Sequence, residues 1–175
     1  MSSLDLQLAE HAASVRFEDL SDAAIDRAKI FTLDTIGVGL AGGSTPEIAP
    51  LLQAVEGWGD RKQVSVWGTR RKLSPSQAVL LNAYQIHCQE FDCIHEGAVL
   101  HAMATLLPVL LAEAERRGGV SGKGLLAAIA AGVGVAGSVP VVAHHSFAAT
   151  YFEDKTETIE GDLIQFQFRN PHSYV

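Results

Sequence analysis

Cysteine, aromatic residues and positive charge are all scarce in this chain of 175 residues, which has two cysteines, 7% aromatic residues, and 13 Lys and Arg against 20 Asp and Glu. Two cysteines make no disulfide framework, and Cys88 and Cys93 sit at a spacing where their side chains do not face each other, so both are expected as reduced thiols. The basic residues fall only in short groups such as Arg70-Arg71-Lys72 and Arg116-Arg117 within a net charge of −7, which excludes a phosphate-tracking surface and a nucleic-acid partner. The N-terminus has no basic stretch followed by an apolar run, so no secretory signal is expected there and the setting is read as cytoplasmic. The apolar run Leu125 to Gly137 is too short and too rich in glycine for a membrane span. Strand-like alternation is also rare before residue 140, confined to Val64-Ser65-Val66-Trp67.

What remains is helical pattern. Hydrophobic residues make up 47% of the chain, enough for one real core. Leu4 to Val15 carries apolar residues at helical spacing. Ser21 reads as the cap of a long helix through Ala28, Phe31 and Ile36 to Leu40, closed by Gly42-Gly43. A shorter helix is expected over Pro46 to Val55, and Ser74-Pro75 opens another that runs to His87. Ala98 to Arg117, with Pro108 inside it, and Ser121 to Gly137 complete a mainly all-α helical bundle. From Tyr151 to Val175 the character changes to acidic, aromatic and β-branched, with the alternation of a strand or hairpin. The domain reading is therefore a helical domain over 1–138 and an unrelated β-prone tail over 139–175, joined by fusion or a frame artefact.

Gly37-Val38-Gly39-Leu40-Ala41-Gly42 satisfies the G-x-G-x-x-G pattern of dinucleotide sites, but that pattern works after a strand and before a helix, and here it ends a helix. It is read as close helix contact plus a helix terminus.

The densest chemistry is His87 to His101, H-C-Q-E-F-D-C-I-H-E-G-A-V-L-H. Its histidines and carboxylates move protons near neutral pH or grip a polycarboxylate, and a helical core does not need them for packing. The histidine spacing H-x7-H-x5-H matches no familiar zinc pattern, so no metal is expected. A helix N-terminus near Gly97 would offer amides to an anion, and Glu96 is placed to cap that helix. Glu90, His95 and His101 are the catalytic candidates, whereas His87, Cys88 and Cys93 read by themselves as structural residues of the bundle.

Three segments in order, Asp34 to Gly42, Leu81 to His101 and Gly118 to Gly132, resemble the N-terminal part of the MmgE/PrpD family, which includes 2-methylcitrate dehydratase and cis-aconitate decarboxylase. The resemblance implies a large helical domain, a second α/β domain, a homodimer, and cofactor-free lyase chemistry on a small polycarboxylate substrate. The family stretch H-x-x-D-F-D-D-x-H falls on His87 to His95, and its following histidine on His101. By that match His101 is implied in acid/base work or substrate carboxylate contact, with Glu90 and His95 orienting it. Asp92 and His87 are implied in substrate binding, Asp92 also fixing the local loop. Glu90 and Cys93 stand where the family usually has aspartates, and Ala102 where it has proline. The family's later lysine, histidine and tyrosine have no counterpart, so the chain is read as a truncated lyase, inactive by itself. The tail from His144, with Glu160-Gly161 and Asn170-Pro171-His172, resembles a family of small exported bacterial proteins of unknown function. Two other readings stay open: a non-catalytic helical remnant or dimerisation module, and an internally started exported β-domain.

Overall fold

In the computed structural model, which describes residues 3–59, 61–95 and 100–138, the chain is mainly helical. The β-prone tail over 139–175 lies outside the described residues, as do Glu96 and Gly97.

Helix α1 spans Leu4–Ser14, α2 Asp22–Gly42 and α3 Ile48–Glu56. Strands β1 (Val64–Ser65) and β2 (Lys72–Leu73) pair antiparallel with Val64 opposite Leu73. Helix α4 spans Pro75–His87, α5 Ala102–Arg116 and α6 Gly122–Ser138. The caps follow from the local residues. The Ser21 hydroxyl accepts from the Ala24 amide at 3.2 Å, and the Gln77 side chain turns back to accept from the Ser74 amide at 3.0 Å. Each partner satisfies an amide that the first helical turn leaves over. Pro75 at the start of α4 has no amide to leave over.

Helix α4 lies along α2 on one side and α5 on the other, and α5 continues the layer onto α6, against which α1 packs. Two apolar clusters result. Val55, Val64, Leu73, Ala78 and Leu81 meet Ala112 of α5 where α3, the hairpin and α4 converge. Ala28 of α2, Met103 and Leu107 of α5 and Ile129 of α6 form the other. Helix α5 serves both clusters, which explains why it is apolar on most sides and why Pro108 is tolerated inside it: the ring is buried, and only one ladder amide is lost. Among the described residues no helix is long and apolar enough to cross a membrane.

Gly37 to Gly42 is helical throughout, and among the described residues no parallel sheet accompanies it. A Cβ on Gly39 would lie 3.0 Å from the Trp67 ring, and one on Gly42 would lie 1.9 Å from the Gln85 carbonyl oxygen. These glycines let α2 approach α4 and the hairpin, which accounts for the motif without a nucleotide.

Two boundaries differ from the sequence reading. The strand-like stretch has a partner, β2, which the basic run Arg70-Arg71-Lys72 disguises as turn. Helix α5 begins at Ala102, with His101 as its N-cap residue, four residues after the Ala98 start expected from the sequence. The backbone amide of His95 donates to the Leu100 carbonyl at 2.9 Å, and the Leu100 amide donates back to the His95 carbonyl at 3.3 Å.

Glu115 ties the hairpin to α5. Its carboxylate accepts from the Ser65 amide and hydroxyl, each at 2.8 Å, and from Lys72 Nζ at 2.5 Å. Burial raises its pKa, but the bonds from Lys72 and Ser65 outweigh that and leave it below the usual carboxylate range. Glu115→Ala is expected to lower stability by about 1–3 kcal/mol, the usual effect of stranding donors that faced a charged acceptor. Because the folded pKa lies below the unfolded one, this contribution is present above the unfolded value and is lost as pH falls through the folded value. Urea midpoints at neutral and acid pH check both: the difference between wild type and Glu115→Ala should shrink in acid.

Candidate functional site

The last turn of α4 carries His87, and Cys88 ends the helix. The Glu90 amide then donates to the His87 carbonyl at 2.9 Å, with Glu90 itself at φ 53°, a left-handed backbone that non-glycine residues seldom adopt. The turn brings Asp92 back under the end of α4. The paired backbones of His95 and Leu100 close the loop and return the chain to His101 at the start of α5.

Asp92 is the centre of this arrangement. Its carboxylate side chain is fully buried, with Oδ1 3.1 Å from His87 Nδ1 and Oδ2 3.0 Å from His101 Nδ1. The two imidazole rings lie 4.6 Å apart between centroids, tilted by 60°. An ionised carboxylate only accepts, so each imidazole donates from Nδ1 and, when neutral, carries its lone pair on Nε2. The rings are partly open, His101 at 30% side-chain exposure and His87 at 47%. Both border a cleft of about 570 Å³, lined also by Leu80, Tyr84, Glu90 and Thr105. Burial, followed by the charges of Glu47 and Cys88, raises the Tyr84 phenol above its ordinary pKa and keeps it protonated.

The structure thus joins His87, Asp92 and His101 in one cluster and sets Glu90 on the same cleft. His95 is exposed and is not among the residues lining the cleft; its backbone, through the pairing with Leu100, shapes the loop. The described helix terminus at the cluster is that of α5, which starts at Ala102 with His101 in the N-cap position; Gly97 lies outside the described residues. Cys93 is half-buried, and burial, then the charges of Asp34 and Asp92, pushes its thiol up, so it is poorly suited to be a nucleophile. Leu80 and Tyr84 escaped the sequence reading. Their signal was present, since they stand seven and three residues before His87 and therefore share its helical face.

The chain is similar in sequence to known proteins. The model of the MmgE/PrpD N-terminal domain matches residues 6–151. A cis-aconitate decarboxylase-like protein of Aspergillus oryzae is 32% identical, over 72% of this chain and 27% of its own length. Cis-aconitate decarboxylase of Homo sapiens is 34% identical over 67% of this chain and 25% of its own, and that of Mus musculus 31% identical over 70% and 26%. The chain spans about a quarter of the length of these curated relatives. With a domain match over most of its length and the histidine segment set on the end of one helix and the start of the next, the chain belongs to the MmgE/PrpD family.

Proposed function

We propose that this chain supplies the histidine–carboxylate part of a lyase site that moves a proton beside a carboxylate of a tricarboxylate-type acid, with cis-aconitate the first substrate to test. The observation that carries the reading is the buried Asp92 carboxylate gripping the Nδ1 side of His101 at 3.0 Å beside an open cleft. Asp92 then positions rather than touches substrate: it selects the tautomer that presents Nε2 and stabilises the imidazolium formed when Nε2 takes a proton. His101 is the acid/base group. In a dehydration it removes the proton next to the carboxylate; in a decarboxylation it returns one to the carbon that loses carbon dioxide. His87, on the other oxygen of Asp92, meets a substrate carboxylate. The names of the relatives favour decarboxylation.

The cleft also limits what the chain does alone. Among the described residues neither Lys nor Arg lines it, while Glu90 adds negative charge. A tricarboxylate needs cations and amides to hold its charge, and each well-placed donor is worth about 2.7–4 kcal/mol in the transition state. We expect those groups from outside the described residues, in a homodimer or a larger assembly. The 175-residue chain is therefore expected to bind cis-aconitate weakly and to turn over neither it, citrate nor 2-methylcitrate. Titrating cis-aconitate into chain labelled with 15N-histidine tests this: the His101 Nε2 signal should shift, and the shift should vanish in His101→Ala. An unmoved His101 signal sinks the site assignment. Turnover abolished by His101→Ala would instead show a sufficient site and sink the expectation of inactivity.

A further inference from the structure

The buried Asp92 carboxylate faces two imidazoles, and among the described residues no lysine or arginine pairs with it. Buried charges are ordinarily paired with a full countercharge or coordinate a metal. The two imidazoles supply hydrogen bonds at 3.1 and 3.0 Å, and their nitrogens are themselves metal-ligand atoms.

We propose that His87, Asp92 and His101 take up one divalent transition-metal ion of the zinc class, and that the ion competes with proton transfer by His101. Each residue offers one ligand atom, and the three atoms lie within 4.8 Å of one another. Two imidazoles and a carboxylate form a donor set such ions favour, with bonds of about 2.0–2.2 Å. Ligands of one tetrahedral ion stand about 3.4 Å apart by that bond length, so the widest pair must close by up to about 1.4 Å. His87, half-exposed at the end of α4, has room to make that movement. The cleft leaves further coordination positions for water or an organic carboxylate. The ion brings positive charge to Asp92, and on His101 Nδ1, which faces Asp92, it would leave the ring proton on Nε2 and so remove the lone pair that proton transfer requires. The sequence hides this set, because the ligating order is His, Asp, His, while the eye follows His87, His95 and His101.

The metal uptake does not depend on the lyase reading; the competition does. Calorimetric titration of the full chain with zinc chloride is expected to give one saturable site, and cobalt(II) to give the visible absorption of a nitrogen- and oxygen-ligated ion of low coordination number. His87→Ala, a change at a half-exposed position that leaves the fold intact, should weaken binding by more than about 100-fold, beyond what a residue merely outside the ligand shell would do. Asp92→Asn should weaken it likewise, and Cys88→Ser should leave it unchanged. No saturable binding, or binding insensitive to both His87→Ala and Asp92→Asn, overturns the site. In metal-free wild type cis-aconitate should shift the His101 signal, whereas zinc should suppress that shift. If zinc binds at these residues but leaves the shift intact, the competition is wrong and the metal site stands; if the shift is absent in metal-free wild type while zinc binds, it is the lyase reading that fails.

Discussion

Gly42→Ala is expected to destabilise the chain by about 3 kcal/mol or more, at or beyond the upper end of ordinary overpacking. The added Cβ would sit 1.9 Å from the Gln85 carbonyl oxygen, 2.8 Å from its carbon and 3.0 Å from the Cys88 Sγ. Two of those are backbone atoms of α4, which cannot rotate away. Relief requires α2 to fray at its last residue or to separate from α4, and α4 carries His87 into the site. Gly37→Ala is the internal control. It lies in the same helix with nothing within 4 Å, so removing the flexibility of glycine should stabilise by up to about 1 kcal/mol. Urea denaturation of the three proteins gives opposite signs for the two substitutions. Equal midpoints would show that α2 and α4 do not meet as closely as described.

Asp92→Asn is expected to disable the histidine pair while leaving the helices in place. An amide has one oxygen where the carboxylate has two, so only one imidazole keeps an acceptor for its Nδ1 proton. The other faces an NH2 group and must adopt the opposite tautomer or turn away. In a catalytic triad the same change from carboxylate to amide lowers turnover by about 10⁴ through the wrong tautomer. In this chain the result is read without turnover: nitrogen-15 shifts of His87 and His101 should report that one ring has exchanged its protonated nitrogen, and cis-aconitate affinity should fall about tenfold, equivalent to about 1.4 kcal/mol. Helical circular dichroism should be retained. Unchanged tautomers for both rings would mean that Asp92 does not govern them.

Much of the helical domain was legible before any coordinates. Ser21, the Ser74-Pro75 pair and the Gly42-Gly43 stop are local devices whose physics acts within one or two turns, and they mark helix ends to within a few residues. The density of histidine and carboxylate between His87 and His101 was likewise plain, as was the order of family motifs. Residues without a local signature were less legible. The strand Lys72–Leu73 is too short to alternate, and Glu115 looks like one more helical surface acid until Ser65 and Lys72 are found beside it.

The sequence by itself determined the class of the fold, the family and the segment that carries the chemistry, because periodicity, caps and motifs are properties of neighbouring residues. Only the tertiary structure decided which members of that segment work together. Three acids and three histidines within fifteen residues are chemically alike on paper, and nothing in their order says which is buried. The reversal at Glu90 and the His95–Leu100 pairing turn Asp92 inward and bring His101 back over the end of α4, leaving His95 exposed. Burial and distance, not residue type, make Asp92 the hub of the site.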